Sequence, residues 1–294
     1  MALQSGDYYV NLADVDLHCQ VSGEGPPLIF LHGLASNLKI WDLMRPLLNA
    51  RYTVITVDQR GHGLSSKPNT GYDFNTIVED LHKFMEKLEI TQPILIGHSW
   101  GADVVLEFGA KHPCKIRGIV MVDGGTIQPS AREGWTLEIA KQEMAPPKFT
   151  GLTEEGLRAR FSTRNGGVLA NIDGAFDAVR GNFNSDRGVL SPNLSLENHL
   201  AIIEALWNHY PSELYKVMQV PCLFFPASPD EDPNQSYWVN RKSHYLSLAE
   251  QHIPKCVVHW FTNSIHDVPL QRPEEMTEVL NRYIDEGFFD SGEE

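Results

Sequence analysis

Positive charge is scarce in this chain. Its 294 residues carry 24 Lys and Arg against 38 Asp and Glu, a formal net charge of −14. A polyanion such as nucleic acid, or an anionic membrane surface, is therefore not the expected partner, and the acidity serves solubility. Cysteine is rarer. Cys19, Cys114, Cys222 and Cys256 lie far apart and form no C-x-x-C, which suits reduced thiols in a cytoplasm better than a disulfide frame or a zinc site. The first ten residues lack the basic start and apolar stretch of a signal peptide. No apolar run approaches the ~20 residues of a membrane-spanning helix. No His, Asp and Glu cluster has metal-ligand spacing, so neither metal nor cofactor is expected. Internal repeats and low-complexity segments are also missing.

Apolar residues make up 42% of the chain, enough for a full core at this length. Tyr8 to Leu12 and Val15 to Val21 alternate as two paired strands around an Ala13-Asp14 turn. A continuous apolar run follows at 27–31, and further buried strands are expected at 53–57, 94–96, 116–122 and 221–225, with another from Cys256 to Phe261. Such runs are expected of strands covered on both faces. Helical spacing is found between them, over Trp41 to Leu48, Ile77 to Leu88, Ala102 to His112, Trp238 to Gln251 and Pro273 to Ile284. From Ile127 to Tyr210 no convincing buried strand occurs. That stretch reads as four helices, Ala131 to Met144, Glu154 to Ser162, Val168 to Val179 and Leu196 to Trp207, punctuated by Pro and Gly pairs. An all-helical insertion there predicts a lid, residues 127–210, inserted in a core made of residues 1–126 and 211–294.

Everything is organised around Gly97-His98-Ser99-Trp100-Gly101. This G-x-S-x-G follows an apolar strand and opens a helix, the context in which a sharp turn presents a serine hydroxyl at the sheet's edge above a helix N-terminus. Without that context Ser99 would be only a helix cap. A serine hydroxyl needs a base to take its proton, and the base needs a carboxylate. Of twelve histidines, His266 lies just after the last strand. Loops after parallel strands gather at one edge, so His266 is the expected base. His98, His32 and His62 are expected to pack and stabilise their own loops. Two carboxylates fit the order serine, acid, histidine. Asp230 follows the strand at 221–225 and is favoured, with Glu231 and Asp232 close by; Asp123 ends the strand after the elbow and is second, its other reading a turn-former before Gly124-Gly125. The backbone N–H groups of Leu34, freed to bend by His32-Gly33, and Trp100 are the expected oxyanion hole.

These motifs, His32-Gly33, Asp58 to Ser65, Gly97 to Gly101, Asp230 and the run His266 to Pro273, stand in the order found in the α/β-hydrolase superfamily. The chain resembles its lid-bearing branch over nearly its whole length. The resemblance implies an α/β fold with an eight-stranded, mostly parallel sheet flanked by helices, an inserted helical lid, and Asp230 as the acid. Members carry G-x-x-D after that strand; here Ala227 replaces the Gly. Ser99 disfavours the relatives whose nucleophile is Asp, such as haloalkane dehalogenases. Ser99-Trp100-Gly101 and Asp58-Gln59-Arg60-Gly61 are similar to prolyl aminopeptidases, which usually carry Gly where His98 stands. Carbon–carbon bond hydrolases share the triad but usually place Trp after the base histidine, where this chain has Asp267. The expected activity is hydrolysis of carboxylic esters with small to medium apolar acyl groups. The lid aromatics Trp135, Phe149, Phe161, Phe176, Phe183 and Trp207 are possible lining. A reading of another class is a ligand receptor with an intact triad.

Overall fold

The computed structural model describes residues 3–229 and 237–290. Its strands are β1 (Gly6–Asn11), β2 (Asp16–Ser22), β3 (Pro27–Leu31), β4 (Thr53–Val57), β5 (Ile94–His98), β6 (Gly118–Val122), β7 (Phe183–Asp186), β8 (Val189–Pro192), β9 (Cys222–Phe225) and β10 (Cys256–Val258). Eight of them form one sheet in the order β1-β2-β4-β3-β5-β6-β9-β10. The β1-β2 and β2-β4 pairs are antiparallel and the rest parallel, as the resemblance implied.

The helices are α1 (Arg45–Leu48), α2 (Phe74–Lys87), α3 (Trp100–Lys111), α4 (Leu137–Glu143), α5 (Glu154–Thr163), α6 (Ala175–Arg180), α7 (Leu196–Trp207), α8 (Pro211–Val217), α9 (Tyr237–His252), α10 (Val268–Gln271) and α11 (Pro273–Asp285). β5 and β6 are buried throughout because helices cover both faces of the sheet. Within β5, Leu95 packs with Val104 and Phe108 of α3, while Ile94 and Ile96 pack on the other face with Trp41 and Leu280. That is the two-residue period of a strand. The four cysteines are unpaired. Among the described residues, no helix is long and apolar enough to cross a membrane.

Register sets the working edge. Leu31 pairs with Gly97, His98 with Val122, and Val122 with Phe225. The ends of β3, β5, β6 and β9 are thus level, and His32, Ser99 and Asp123 leave the sheet side by side.

The segment between β6 and β9 differs from the expectation of helices alone. β7 and β8 form an antiparallel hairpin. Arg187 and Gly188 both take positive φ, 48° and 81°, as a two-residue hairpin turn requires. The strands escape a search for apolar runs because only Phe183 and Leu190 are buried in them. Two expected helices also shorten: α4 begins at Leu137, capped by the Thr136 side chain, and α6 only after the left-handed Gly174.

Candidate active site

β5 delivers Ser99 at φ 53°, ψ −124°, a conformation costing on the order of 1–3 kcal/mol for a residue with a Cβ. The turn is held by Ser99 N–H donating to the Val122 carbonyl at 2.9 Å and Ala102 N–H to the Ser99 carbonyl at 2.8 Å. The flanking glycines are a matter of space. A Cβ on Gly97 would lie 2.1 Å from the Gly101 oxygen, and one on Gly101 would lie 2.5 Å from the His32 oxygen. The loop after β3 is equally close, since a Cβ on Gly33 would come within 2.9 Å of Ser99 Cβ. Leu34 lines one small cavity, about 110 Å³, together with Ser99 and His266. Trp100 holds the first position of α3, where the backbone N–H has no carbonyl within the helix. Its indole is buried against His62, ring centroids 5.5 Å apart, so that side chain packs and does not wall a pocket.

His266 Nδ1 is 2.6 Å from Asp123 Oδ2. Of the two candidate acids, the second is thus the one seen at the base. Asp230, with Glu231 and Asp232, lies outside the described residues, and the carboxylate on Nδ1 is the second candidate, Asp123. The physical reason is the backbone after β6. Asp123 takes φ 45°, a left-handed turn that Asp tolerates better than most residues, and this swings its carboxylate inward. Its other oxygen accepts from the Ala227 N–H at 2.8 Å and from the Lys242 ammonium. Lys242, on α9, also donates to the Ala227 carbonyl at 2.7 Å. Ala227, the residue in place of the usual Gly, thus helps to hold the Asp123 carboxylate. Burial opposes the Asp123 charge, yet His266 and Lys242 hold the carboxyl well below the usual carboxylate range. His266 is lowered by desolvation but raised more by Asp123, and ends above the ordinary imidazole value. A proton on Nδ1 leaves Nε2 as an acceptor.

The remaining histidines of the motifs pack among these loops. His98 is buried, and its Nε2 is 2.9 Å from the His266 carbonyl, tying the elbow to the His266 loop; burial, then His266, lowers its pKa to about 4. His32 Nδ1 is 2.7 Å from the Gly33 carbonyl, and its Nε2 accepts from Gln59 N–H. His62 Nε2 accepts from Ala35 N–H. Asp58 accepts from the Leu38 and Leu64 N–H groups at 2.8 and 2.9 Å, which binds the two loops together. Lys242 was not foreseen. Nothing in a helical Arg241-Lys242 signals a partner 119 residues away.

A larger cavity of about 490 Å³ adjoins the small one and shares Leu34, Ala35, Ser36, Arg164, Val179 and Asn182 with it. Of the six expected aromatics, Phe149, Phe161 and Phe183 line it; Phe176 packs edge-on against Phe161 at 5.5 Å, and Trp135 sits under the Arg132 guanidinium. Elsewhere Glu79, His82 and His112 bring potential metal ligands within 4.8 Å of one another, a grouping made by packing α2 on α3 and invisible to spacing. The two imidazoles stack at 4.5 Å and 15°. Near-parallel rings do not aim both lone pairs at one ion, so this is not a preformed metal site.

Residues 26–260 match the family of proteins with the alpha/beta hydrolase fold. The chain is 39% identical over 114 residues to a 2-(acetamidomethylene)succinate hydrolase of Mesorhizobium japonicum, covering 39% of this chain and 41% of that one. It is 34% identical over 119 residues to a fluoroacetate dehalogenase of a Burkholderia species, covering 39% of each. The matches thus span about two fifths of these curated relatives. Among solved structures, that of an E-2-(acetamidomethylene)succinate hydrolase superposes with a TM-score of 0.77 at 24% identity, over 96% of this chain and 100% of that one; at that identity the likeness is one of fold. The chain belongs to the alpha/beta hydrolase family.

Proposed function

We propose that the protein is a serine hydrolase of carboxylic esters with small to medium, largely apolar acyl groups. The observation that carries this reading is the strained Ser99 sharing a cavity with a His266 whose far nitrogen is held by Asp123. In this mechanism Ser99 Oγ attacks the ester carbonyl carbon and passes its proton to His266 Nε2. The oxyanion meets the Leu34 and Trp100 N–H groups. The intermediate collapses, the alcohol leaves with the proton from His266, and water cleaves the acyl-enzyme by the same route. The inserted segment 127–210 acts as the lid, and its Phe149, Phe161 and Phe183 give the acyl chamber its apolar wall. The relatives' named activities differ from one another, so the substrate is read from this chain's own cavity. A fluorophosphonate is expected to label Ser99. An unlabelled Ser99 in folded protein would leave the receptor reading in its place.

Lys242 has a part in the same chemistry. Its ammonium fixes one Asp123 oxygen so that the other faces His266, and its charge lowers the His266 pKa. Lys242→Met is expected to reduce kcat/KM on the order of tenfold, the worth of one charged hydrogen bond. The sign of the pH effect follows from the charges. Without the cation, His266 holds its proton to higher pH, so the acid limb of kcat/KM against pH moves up. Lys242→Arg should restore the limb. A loss of activity with an unmoved limb would make Lys242 a packing residue only.

A further inference from the structure

The chain's charge is −14, yet the larger cavity beside Ser99 has no Asp or Glu among its described lining residues and has two arginines there, Arg160 and Arg164, both partly open to solvent. Its two histidines, His62 and His199, are held below their ordinary pKa by burial, so its charged groups are Arg160 and an Arg164 that Asp267 partly offsets. From these observations we infer that the acyl group this site takes ends in a carboxylate, which Arg160 and Arg164 bind: the substrates are half-esters of short dicarboxylic acids. This rests on the serine-hydrolase reading, keeps its apolar methylene chain and replaces the apolar far end by a carboxylate.

The placement fits. Leu157, Arg160 and Phe161 share the cavity-lining face of α5, and Arg164 stands at its C-cap. Arg164 lies on the wall common to both cavities, so an acyl chain leaving Ser99 passes it on the way in. It is already poised there by Asp267, 3.3 Å away, the residue next to His266. A guanidinium has five N–H donors, and one carboxylate leaves several of them unused. Arg160 is solvent-exposed and lies 5.9 Å from the centroid of the Phe149 ring. A cavity of about 490 Å³ takes a chain of several methylenes between the two ends.

The test is a matched pair, monoethyl adipate against ethyl hexanoate, which differ by a carboxylate in place of a methyl. Hydrolysis followed by pH-stat is expected to favour the half-ester by about tenfold or more in kcat/KM. Arg160→Gln and Arg164→Gln should bring the ratio toward one, Arg160→Lys should recover part of it, and added salt should reduce it. Equal rates for the pair, or a ratio that neither Gln variant moves in folded protein, overturns the inference while leaving the serine chemistry intact. Calorimetric binding to Ser99→Ala protein tests the subsite without turnover. Tighter binding of the half-ester, lost in Ser99→Ala/Arg160→Gln protein, supports it, and equal binding of the two esters overturns it, whatever labelling reports about Ser99.

Discussion

Asp123→Asn is expected to lower turnover by about 10⁴-fold, the loss seen when the triad aspartate of a serine protease becomes an amide, with KM for a short ester little changed. The carboxylate oxygen on His266 Nδ1 is an acceptor at 2.6 Å. An amide can turn its NH2 toward that nitrogen. The tautomer with its proton on Nε2 is then favoured, and the base no longer faces Ser99 with a free lone pair. The imidazolium formed on proton transfer also loses its counter-charge. Lys242, which now bonds the other oxygen, is left beside a neutral group and adds to the repulsion. Asp230→Asn, at a position outside the described residues, is expected to cost less than about tenfold if Asp123 alone holds His266 Nδ1. Steady-state kinetics on both variants, with melting temperatures to confirm folding, decide between them. A large loss in Asp230→Asn and a small one in Asp123→Asn would return the acid to the loop after β9.

Ser99→Ala is expected to abolish ester hydrolysis, a loss on the order of 10⁶ in kcat, as for the nucleophile of another serine hydrolase. Any remainder, at most 10³–10⁴ over the reaction in water, would come from binding and the oxyanion N–H groups alone. Ser99 makes no side-chain cap to α3, so removing its hydroxyl costs the helix nothing and the melting temperature should hardly move. The strained backbone is kept, because alanine also has a Cβ. Substantial turnover by the Ala variant, or fluorophosphonate attached elsewhere, would remove Ser99 from the chemistry.

Apolar runs and the Gly97 to Gly101 pentapeptide could be read directly because their causes are local. A strand buried on both faces is apolar nearly throughout, as β6 is and as β5 is up to its last residue, His98. A Cβ at Gly97 or Gly101 meets backbone within 2.6 Å, so that pattern follows from sterics within a few residues. His266 was legible because all loops after parallel strands meet at one edge. The hairpin β7-β8 was hidden by polar strands, although its Arg187-Gly188 turn was the available signal.

The acid could not be decided in the same way. Asp123 and Asp230 both stand after strands in the right order, and order says nothing of where a carboxylate points. That depends on a left-handed turn at Asp123, on Ala227 N–H arriving from the next strand, and on an ammonium from a helix 119 residues later. The lining of the larger cavity has the same origin, since Arg160 and Arg164 line it only because α5 and its C-cap are laid across it. The sequence by itself determined which groups could react, through local sterics and strand order. Tertiary structure alone decided which carboxylate and which cations meet them, because electrostatic pairing acts over a few ångströms of space and takes no account of distance along the chain.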